Sequence, residues 1–456
     1  MRKLVLLIPA IALLSSCHIY KAYERPEVNT QGLYRDTLVS SDTLNFGNLP
    51  WREVFRDTAL QTLIELGLKS NVDLQTAQLR IKQAEAALLS SKLSYLPSVQ
   101  FNSQGTINSF NRQSAARSYQ LPVTASWEID LFGNLLNAKR EAKMALLQSE
   151  AYRQAVQTQL IASIANSYYT LLMLDKQLAI SEETTRNWEQ SVATMRAMKV
   201  AALTNEAAVT QSEANYYQIR ATLPDLRRQI REVENVLSVM MGQPPHAIAR
   251  SEWQEAGYDM PECLSAGVPL QLLSNRPDVK QAEMALATAY YATNSARSAF
   301  YPQITIDASA GWTNSTGTAI LNPARFLATA IGSLVQPLFN KGKNIARLKI
   351  AKAQQEEALL NFQQSLLNAG SEVSNALYQF HSSGEKSEQR VHQVEALRQS
   401  VQYTQSLMRL GTSTYLEVLT AQQNLLTAQL TQVSDRFEQM QAVINLYQAL
   451  GGGRDD

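Results

Sequence analysis

The sequence predicts a mixed α+β protein that consists mostly of long coiled-coil hairpins, with four β-strands in each chain. In the proline-free stretch that follows Pro337, apolar residues recur in alternating steps of four and three, the spacing of a coiled-coil seam. Elsewhere apolar and polar residues alternate with period two, which indicates strands that have one apolar face. The same succession of patterns occurs twice, which predicts an internal two-fold repeat.

Composition argues against nucleic-acid binding and against disorder. Only 18% of the 456 residues are charged and the formal net charge is +1, whereas a nucleic-acid-binding protein has a basic face. Apolar residues make up 45% of the chain and are periodic, unlike those of a disordered segment.

The N-terminus predicts an export signal over residues 1–16. Arg2 and Lys3 precede an apolar run that ends at Leu14, which is too short to span a bilayer as a helix. Leu14-Ser15-Ser16-Cys17 then resembles a bacterial lipobox, so we expect a lipid on Cys17 and a tether over residues 17–50. The alternative is an ordinary signal peptide with a chance cysteine. Cys263, the other cysteine, is then a lone structural thiol.

The first repeat is predicted over residues 51–242. It begins with an amphipathic helix from Trp51 and an alanine-rich helix from about Asp73 to Ser94. Strands follow at about 97–110 and 119–131, and a helical hairpin at about 134–241 turns near Lys199 to Asn205. Pro224 should bend or interrupt the return arm of that hairpin.

The second repeat is predicted over residues 276–453, after an irregular segment at 243–275. Its helix matches the alanine-rich helix of the first repeat 205 positions earlier. Strands follow at about 302–315 and 326–338, and a hairpin at about 341–450 turns at Arg409 to Thr414. At ~1.5 Å per residue, its longer arm reaches ~100 Å.

The clearest strand has two chemically different faces. Leu121, Val123, Ala125, Trp127, Ile129 and Leu131 alternate with polar residues that include Glu128 and Asp130. This pattern suits a barrel wall with lipid outside and water inside, and Glu128 and Asp130 would then face the lumen. A half-buried strand of a soluble sheet would show the same pattern. Four strands cannot enclose an interior, and open edges in lipid leave backbone groups unsatisfied, so a barrel would need several chains.

These motifs, in this order, are similar to those of TolC-family outer membrane factors, and within that family to the OprM-like and NodT-like lipoproteins. The residues that carry the resemblance are Tyr23-Glu24-Arg25-Pro26, Trp51 with Phe55, Leu121-Pro122, Leu131-Phe132-Gly133, Arg276-Pro277-Asp278-Val279 with Ala282-Glu283, Gln336-Pro337-Leu338-Phe339 and Gly411 to Gln422.

The resemblance implies a homotrimer with a twelve-stranded β-barrel in the bacterial outer membrane, above an α-helical tunnel in the periplasm. Such proteins are the exit ducts of tripartite efflux systems, and they dock onto a periplasmic adaptor (a membrane fusion protein) and an inner-membrane pump, here expected to be of the RND type. It implies no enzyme activity and no cofactor beyond the lipid on Cys17. Drugs, metal ions and other small molecules are all possible cargo.

The resemblance also assigns residues at the periplasmic hairpin tips. Glu417 falls on a carboxylate position of the family's gate, Thr420 stands where some members have a second acid, and Ser413 stands where some have an arginine. Three carboxylates around an axis would raise one another's pKa. The alternative for Glu417 is a solvated charge beside a turn. The tips that contact the adaptor are expected at Leu410, Gly411 and Thr412, and 210 positions earlier at Val200, Ala201 and Ala202.

The competing function is a structural or adhesive coiled-coil lipoprotein on the cell surface, whose strands form a small soluble sheet. The four histidines are scattered and predict no metal site. Met195 and Met198 would suit the passage of a soft metal, but core positions are the preferred interpretation.

Overall fold

The computed structural model describes residues 20–28, 33, 46–109, 115–253, 275–313 and 326–454. The predicted signal peptide, Cys17 and Cys263 lie outside the described residues. The chain divides into two compact units. The sheet unit comprises residues 1–28, 79–151 and 280–365, and the hairpin unit comprises residues 29–78, 152–279 and 366–456.

The described helices and strands follow one another in this order: α1 (Trp51–Val54), α2 (Thr58–Ser70), α3 (Val72–Leu93), β1 (Ser98–Phe101), β2 (Gln104–Asn108), β3 (Ala116–Ile129), α4 (Asn134–Val200), α5 (Glu206–Met240), α6 (Pro277–Ser298), β4 (Gln303–Thr313), β5 (Phe326–Val335), α7 (Lys343–Arg409) and α8 (Tyr415–Ala449).

The helix predicted from Trp51 is divided into α1 and α2 by an N-cap. The Asp57 carboxylate accepts hydrogen bonds from the backbone N–H groups of Ala59 at 2.8 Å and Leu60 at 3.3 Å. It thereby satisfies two of the donors that the start of a helix leaves without an intrahelical partner. The side chain of Asp57 thus starts a second helix where the apolar periodicity of the sequence predicts a single one.

Two pairs of long helices have matching lengths. Helices α4 and α7 contain 67 residues each, and α5 and α8 contain 35 each. Five residues separate the two arms of each pair, at 201–205 and at 410–414. Helix α5 continues through Pro224, so of the two expected effects, a bend or an interruption, the interruption is wrong. Pro224 is exposed, and the loss of one backbone hydrogen bond is small beside the others of so long a helix.

The core of the hairpin unit is formed where the α8 seam meets α2 and α4. Met440, Ile444 and Tyr447, which belong to the predicted seam, are buried in one cluster with Ile64 and Ile164. Full burial of each such side chain stabilises the fold by about 1.5–3 kcal/mol.

The strands form one antiparallel sheet in the order β1–β3–β4–β5, and β2 also pairs with β3. The predicted strand at 97–110 is therefore present as two short strands that keep one register against β3. The interruption lies opposite Pro122. The Asn102 N–H donates to the Pro122 carbonyl at 3.1 Å, but proline has no N–H to donate in return. The prediction of four strands is therefore corrected to five strands among the described residues.

Candidate functional site: sheet faces and hairpin tips

One face of the sheet carries large apolar side chains that the sheet unit leaves open. Trp127 lies opposite Ile306 in the β3–β4 pairing, and these residues are 43% and 37% exposed. Exposed apolar patches of this extent mark an interaction surface rather than an ordinary protein surface. The large exposed residues on this face are Val99, Phe101, Ile107, Leu121, Val123, Trp127, Ile306, Trp312, Phe326 and Leu334.

The opposite face is polar over β3 and β4. Glu128 accepts a hydrogen bond from the Asn134 side-chain amide at 3.2 Å. Asp307, which was not singled out in the sequence, lies opposite Ser126 and accepts its hydroxyl at 2.6 Å. The signal that could have identified Asp307 is the alternation of polar with apolar residues in β4, where Gln303, Thr305, Asp307 and Ser309 are the polar members.

Asp130 lies beyond the end of β3, so its placement differs from that of Glu128. Its carboxylate accepts the backbone N–H of Leu136 at 2.7 Å, in the first turn of α4. A carboxylate at a helix N-terminus is stabilised by the helix dipole and by the free N–H groups. Asp130 therefore joins β3 to α4, and its assignment to a lumen remains a prediction.

The residues after the predicted lipidation site are held against α6 in the sheet unit. We call Tyr20–Val28 the N-terminal strap. Arg25 forms a bidentate ion pair with Glu283, with N···O distances of 2.7 and 2.8 Å, and the Glu283 side chain is only 5% exposed. The Tyr23 N–H donates to the Tyr291 hydroxyl at 3.1 Å. The sequence indicated only an extended tether here, because the partners lie some 260 positions away.

The first hairpin tip is closed by a residue in the left-handed region. Ala202 has φ 59°, and the Leu203 N–H donates to the Met198 carbonyl at 2.9 Å, a Schellman-type helix end. Lys199 forms an ion pair with Glu206 across the turn. Val200, at the end of α4, is 90% exposed.

The second tip has the same backbone hydrogen bonds but a glycine in the left-handed position. Gly411 has φ 77°, and the Thr412 N–H donates to the Leu407 carbonyl at 3.0 Å. Gly411 follows Ala202 by 209 positions. The residue that corresponds to Gly411 is therefore Ala202 and not Ala201, which corrects the spacing of 210 used in the sequence alignment of the tips.

The Glu417 side chain is hydrogen-bonded to residues of its own chain at the start of α8. Its carboxylate accepts the Ser413 hydroxyl and the Thr414 backbone N–H, the latter at 3.3 Å. These hydrogen bonds, that of Ser413 first, lower the pKa of Glu417 from its ordinary value, because they favour the charged form. The Thr420 hydroxyl donates to the Leu416 carbonyl at 2.8 Å. Within one chain, Glu417 thus acts as a helix cap, and its role in a gate remains a prediction.

The two hairpins touch just above their tips in the hairpin unit. The hydroxyls of Ser212 on α5 and Tyr415 on α8 are 2.9 Å apart. Burial raises the pKa of Tyr415, so the phenol stays neutral in this contact. A groove of about 1020 Å³ lies beside it and is lined by Met195, Met198 and Met408 among others. Met195 is fully buried, as the core interpretation requires.

Two further properties of the described residues bear on function. None of the described helices combines the length and the hydropathy that a membrane span needs. No group of three or more His, Cys, Asp or Glu residues in the described part of the chain could hold a metal ion.

Comparison with known proteins gives matches along almost the whole chain. The model of the outer membrane efflux protein family matches residues 63–243 and 268–452. The cation efflux system protein CusC of Escherichia coli O6:H1 is 28% identical over 448 residues, which cover 96% of each chain. The probable outer membrane lipoprotein SilC of Salmonella typhimurium is 28% identical over 459 residues, which cover 99% of each chain. A crystal structure of CusC matches with a TM-score of 0.86 at 27% identity and covers 96% of this chain and 100% of that one.

Proposed function

This chain belongs to the outer membrane efflux protein family, and from that premise we propose that it is the exit duct of a tripartite efflux system. It is an outer membrane efflux channel, and the family is one of transport rather than of enzymes. The finer proposal is passive conduction of small molecules, gated at the periplasmic hairpin tips. The observation that carries it is the sheet with one exposed apolar face, one largely polar face and two unpaired edges among the described strands.

The lengths of the three longest strands support a membrane-spanning sheet. Strands β3, β4 and β5 contain 14, 11 and 10 residues, and about 9–11 residues cross a bilayer as a tilted strand. Unpaired edges would be costly in lipid, so we propose that three copies close one barrel. Water would then fill the side that carries Glu128 and Asp307, and lipid would surround the side that carries Trp127 and Ile306.

A small soluble sheet in an adhesive lipoprotein accounts less well for these faces. Such a sheet would cover Trp127 and Ile306 with other parts of the same unit, but both remain about two-fifths exposed. We therefore do not retain that alternative.

The tips are proposed to meet the adaptor of an inner-membrane pump, which we expect to be of the RND type. This contact with an adaptor is supported by exposed apolar side chains at the turns of both hairpins, namely Val200, Leu203, Leu410 and Leu416. Side chains of this kind are stabilised by a partner that removes them from water.

The proposed lipid on Cys17 would reinforce the membrane attachment. Tyr20 of the strap lies beside Gly133, just before α4. Tyr20 follows Cys17 by three positions, and three residue steps span at most about 11 Å. The strap would therefore hold the acylated N-terminus close to the point where β3 leaves the membrane.

The gate is proposed at Glu417, with Thr420 one turn further along α8. If three Glu417 carboxylates approach one axis, they attract cations, and the Ser413 hydroxyl helps to keep them charged. Within one chain the Ser413 and Thr414 hydrogen bonds lower the pKa of Glu417, which opposes the rise that two neighbouring copies would cause.

Single-channel recording in planar bilayers tests both the duct and the gate. Wild-type protein should give stepwise, ohmic, cation-selective currents, and Glu417→Ala should lower the cation selectivity. Glu395→Ala, which removes an exposed carboxylate from α7, is the matched control and should behave as wild type. The absence of channel currents from wild-type protein would refute the duct, whereas unchanged selectivity in Glu417→Ala would refute the gate alone. Metal cations should be among the ions tested, because CusC is named as a cation efflux protein.

A further inference from the structure

We propose that four basic side chains of the sheet unit bind the phosphate groups of anionic phospholipids in the membrane leaflet nearest the helices. We call these four residues the basic collar: Lys21, Lys139, Arg140 and Arg297. This inference rests on the proposed membrane sheet and adds to it the chemical class of lipid that the protein recognises.

The collar begins at the end of the apolar face of the sheet. The Trp127 indole N–H donates to the Tyr95 carbonyl at 2.8 Å, and the Lys139 ammonium lies 5.7 Å from the centre of the Tyr95 ring. Lys139 and Arg140 are the sixth and seventh residues of α4, so they lie about 10 Å from its start. Long basic side chains extend their charged ends toward the headgroup layer from such a position.

The helical geometry of α6 places Arg140 and Arg297 on the side that the strap covers. The strap contacts α6 at Glu283 and Tyr291, and the Arg140 guanidinium lies 5.8 Å from the centre of the Tyr291 ring. Arg297 follows Glu283 by 14 positions, which is about four turns, so it lies on the same side. Burial raises the pKa of Tyr20 and the charge of Arg297 opposes that rise, which indicates that these two side chains are close.

Lys21 is the exposed collar residue of the strap itself. Its carbonyl accepts the Tyr290 hydroxyl at 3.2 Å, and Tyr290 lies eight positions, or about 12 Å, before the end of α6. The two acidic residues of the strap flank Arg25, whose partner Glu283 lies 15 positions, or about 22 Å, before that end. The strap therefore places its acids farther from the sheet than Lys21.

The collar charges are not compensated by the protein. Within the described part of the chain, none of the four side chains forms an ion pair with a carboxylate. The Arg297 guanidinium donates to the neutral side chain of Asn294 at 3.1 Å. Asp130, whose charge also acts on Tyr20, is hydrogen-bonded to the Leu136 N–H. Unpaired cations of this kind attract an anionic partner.

The surroundings of the collar identify that partner as lipid phosphate. Basic residues beside a membrane segment bind anionic headgroups, and their charge-assisted hydrogen bonds to phosphate are strong. Tyrosines concentrate at membrane interfaces, where the ring is apolar and the hydroxyl is wet. Five tyrosines accompany the collar, namely Tyr20, Tyr23, Tyr95, Tyr290 and Tyr291.

Two basic residues on the other side of α6 provide a matched control. Lys343 and Arg347 of α7 line a cavity of about 460 Å³ together with Ala292. Ala292 follows Glu283 by nine positions, which is about two and a half turns. The cavity therefore lies on the side of α6 away from the strap, and lipid at the collar would not reach it.

Electron paramagnetic resonance with spin-labelled lipids tests the collar in full-length protein reconstituted in phosphatidylcholine bilayers. Wild-type protein should bind labelled phosphatidylglycerol at least about twofold more strongly than labelled phosphatidylcholine. About 0.5 M NaCl should bring the ratio close to one, because salt screens exposed charges. Replacement of all four collar residues by Gln should do the same at low salt. Lys21→Gln with Lys139→Gln, which changes only exposed side chains, should remove about half of the preference.

Lys343→Gln with Arg347→Gln removes two charges as well and should keep the wild-type ratio. Equal binding of the two lipids by wild-type protein, or an equal loss in the two double variants, would overturn the collar. Inorganic phosphate should lower the ratio no more than NaCl at the same ionic strength, and a stronger effect would assign the collar to free phosphate and overturn the lipid site. If wild-type protein restricts the motion of neither lipid, the membrane sheet itself fails.

Discussion

The two hairpin tips permit a paired test of backbone strain, because one uses alanine where the other uses glycine. Ala202 and Gly411 both close their turns at positive φ, 59° and 77°. A non-glycine residue in this region costs about 1–2 kcal/mol, whereas glycine adopts it freely. Replacement by glycine also makes the unfolded chain more flexible, which costs about 0.4–1 kcal/mol.

The net effects should therefore have opposite signs. Ala202→Gly should stabilise the first tip by about 0.5–1 kcal/mol, and Gly411→Ala should destabilise the second by a similar amount. The amides to observe are Leu203 and Thr412, whose N–H groups close the two turns. Since 1.4 kcal/mol corresponds to about a factor of ten, protection from hydrogen exchange should rise about two- to fivefold at Leu203 and fall about two- to fivefold at Thr412.

Hydrogen exchange with mass spectrometry on detergent-solubilised protein measures both amides. Ala201→Gly is the control. It lies next to the left-handed position, so it should reduce protection at Leu203 or leave it unchanged. The strain argument would be refuted if Ala202→Gly lowered protection at Leu203, or if Gly411→Ala left Thr412 as protected as in wild type.

Two further predictions concern side-chain contacts, one within the sheet unit and one within the hairpin unit. Arg25→Ala leaves the buried Glu283 carboxylate unpaired, whereas Glu283→Gln leaves unpaired an arginine that is 46% exposed and can be hydrated. Chymotrypsin should therefore cut at Tyr23 faster in Arg25→Ala than in Glu283→Gln. Equal cleavage rates would contradict this interpretation of the ion pair. Asp57→Ala removes the cap of α2 and the acceptor of the Tyr168 hydroxyl, 2.7 Å away, and should lower the free energy of unfolding by about 1–3 kcal/mol in urea denaturation. Asp57→Asn keeps the cap and should recover at least half of that loss. Equal free energies of unfolding for the two variants would rule out the cap.

The long hairpins could be predicted because their signal is local and repeated. A seam in steps of four and three fixes which face of a helix is apolar, and Gly411 marks the turn that ends α7. The first turn is harder to place, because Ala202 carries no glycine signal. Its alignment with the second tip shifted by one residue, since small insertions between the repeats change the spacing from 205 at α3 and α6 to 209 at the long helices of the hairpins.

The strands were predictable in their faces but not in their continuity. Alternation identified Trp127 and Ile306 as members of one apolar face. The break between β1 and β2 depends on Pro122, which lies on the partner strand, and pairing partners cannot be read from one strand alone. The same limit applies to Asp307, whose partner Ser126 is 181 positions away.

The side-chain contacts of the candidate site could not be predicted for a similar reason. Glu417 was expected to titrate with two copies of itself, but its nearest partners are Ser413 and Thr414 of its own chain. The choice between a helix cap and a gate depends on distances between chains. No pattern along one chain contains those distances.

The central claim is that one chain supplies only part of a membrane wall and that its neighbours complete it. The most direct measurement is the number of chains in the particle extracted from outer membranes with mild detergent, determined by light scattering with the detergent contribution subtracted. Three chains per particle are predicted. A single chain that stays dissolved in buffer without detergent once Cys17→Ser has removed the lipid site would contradict the account.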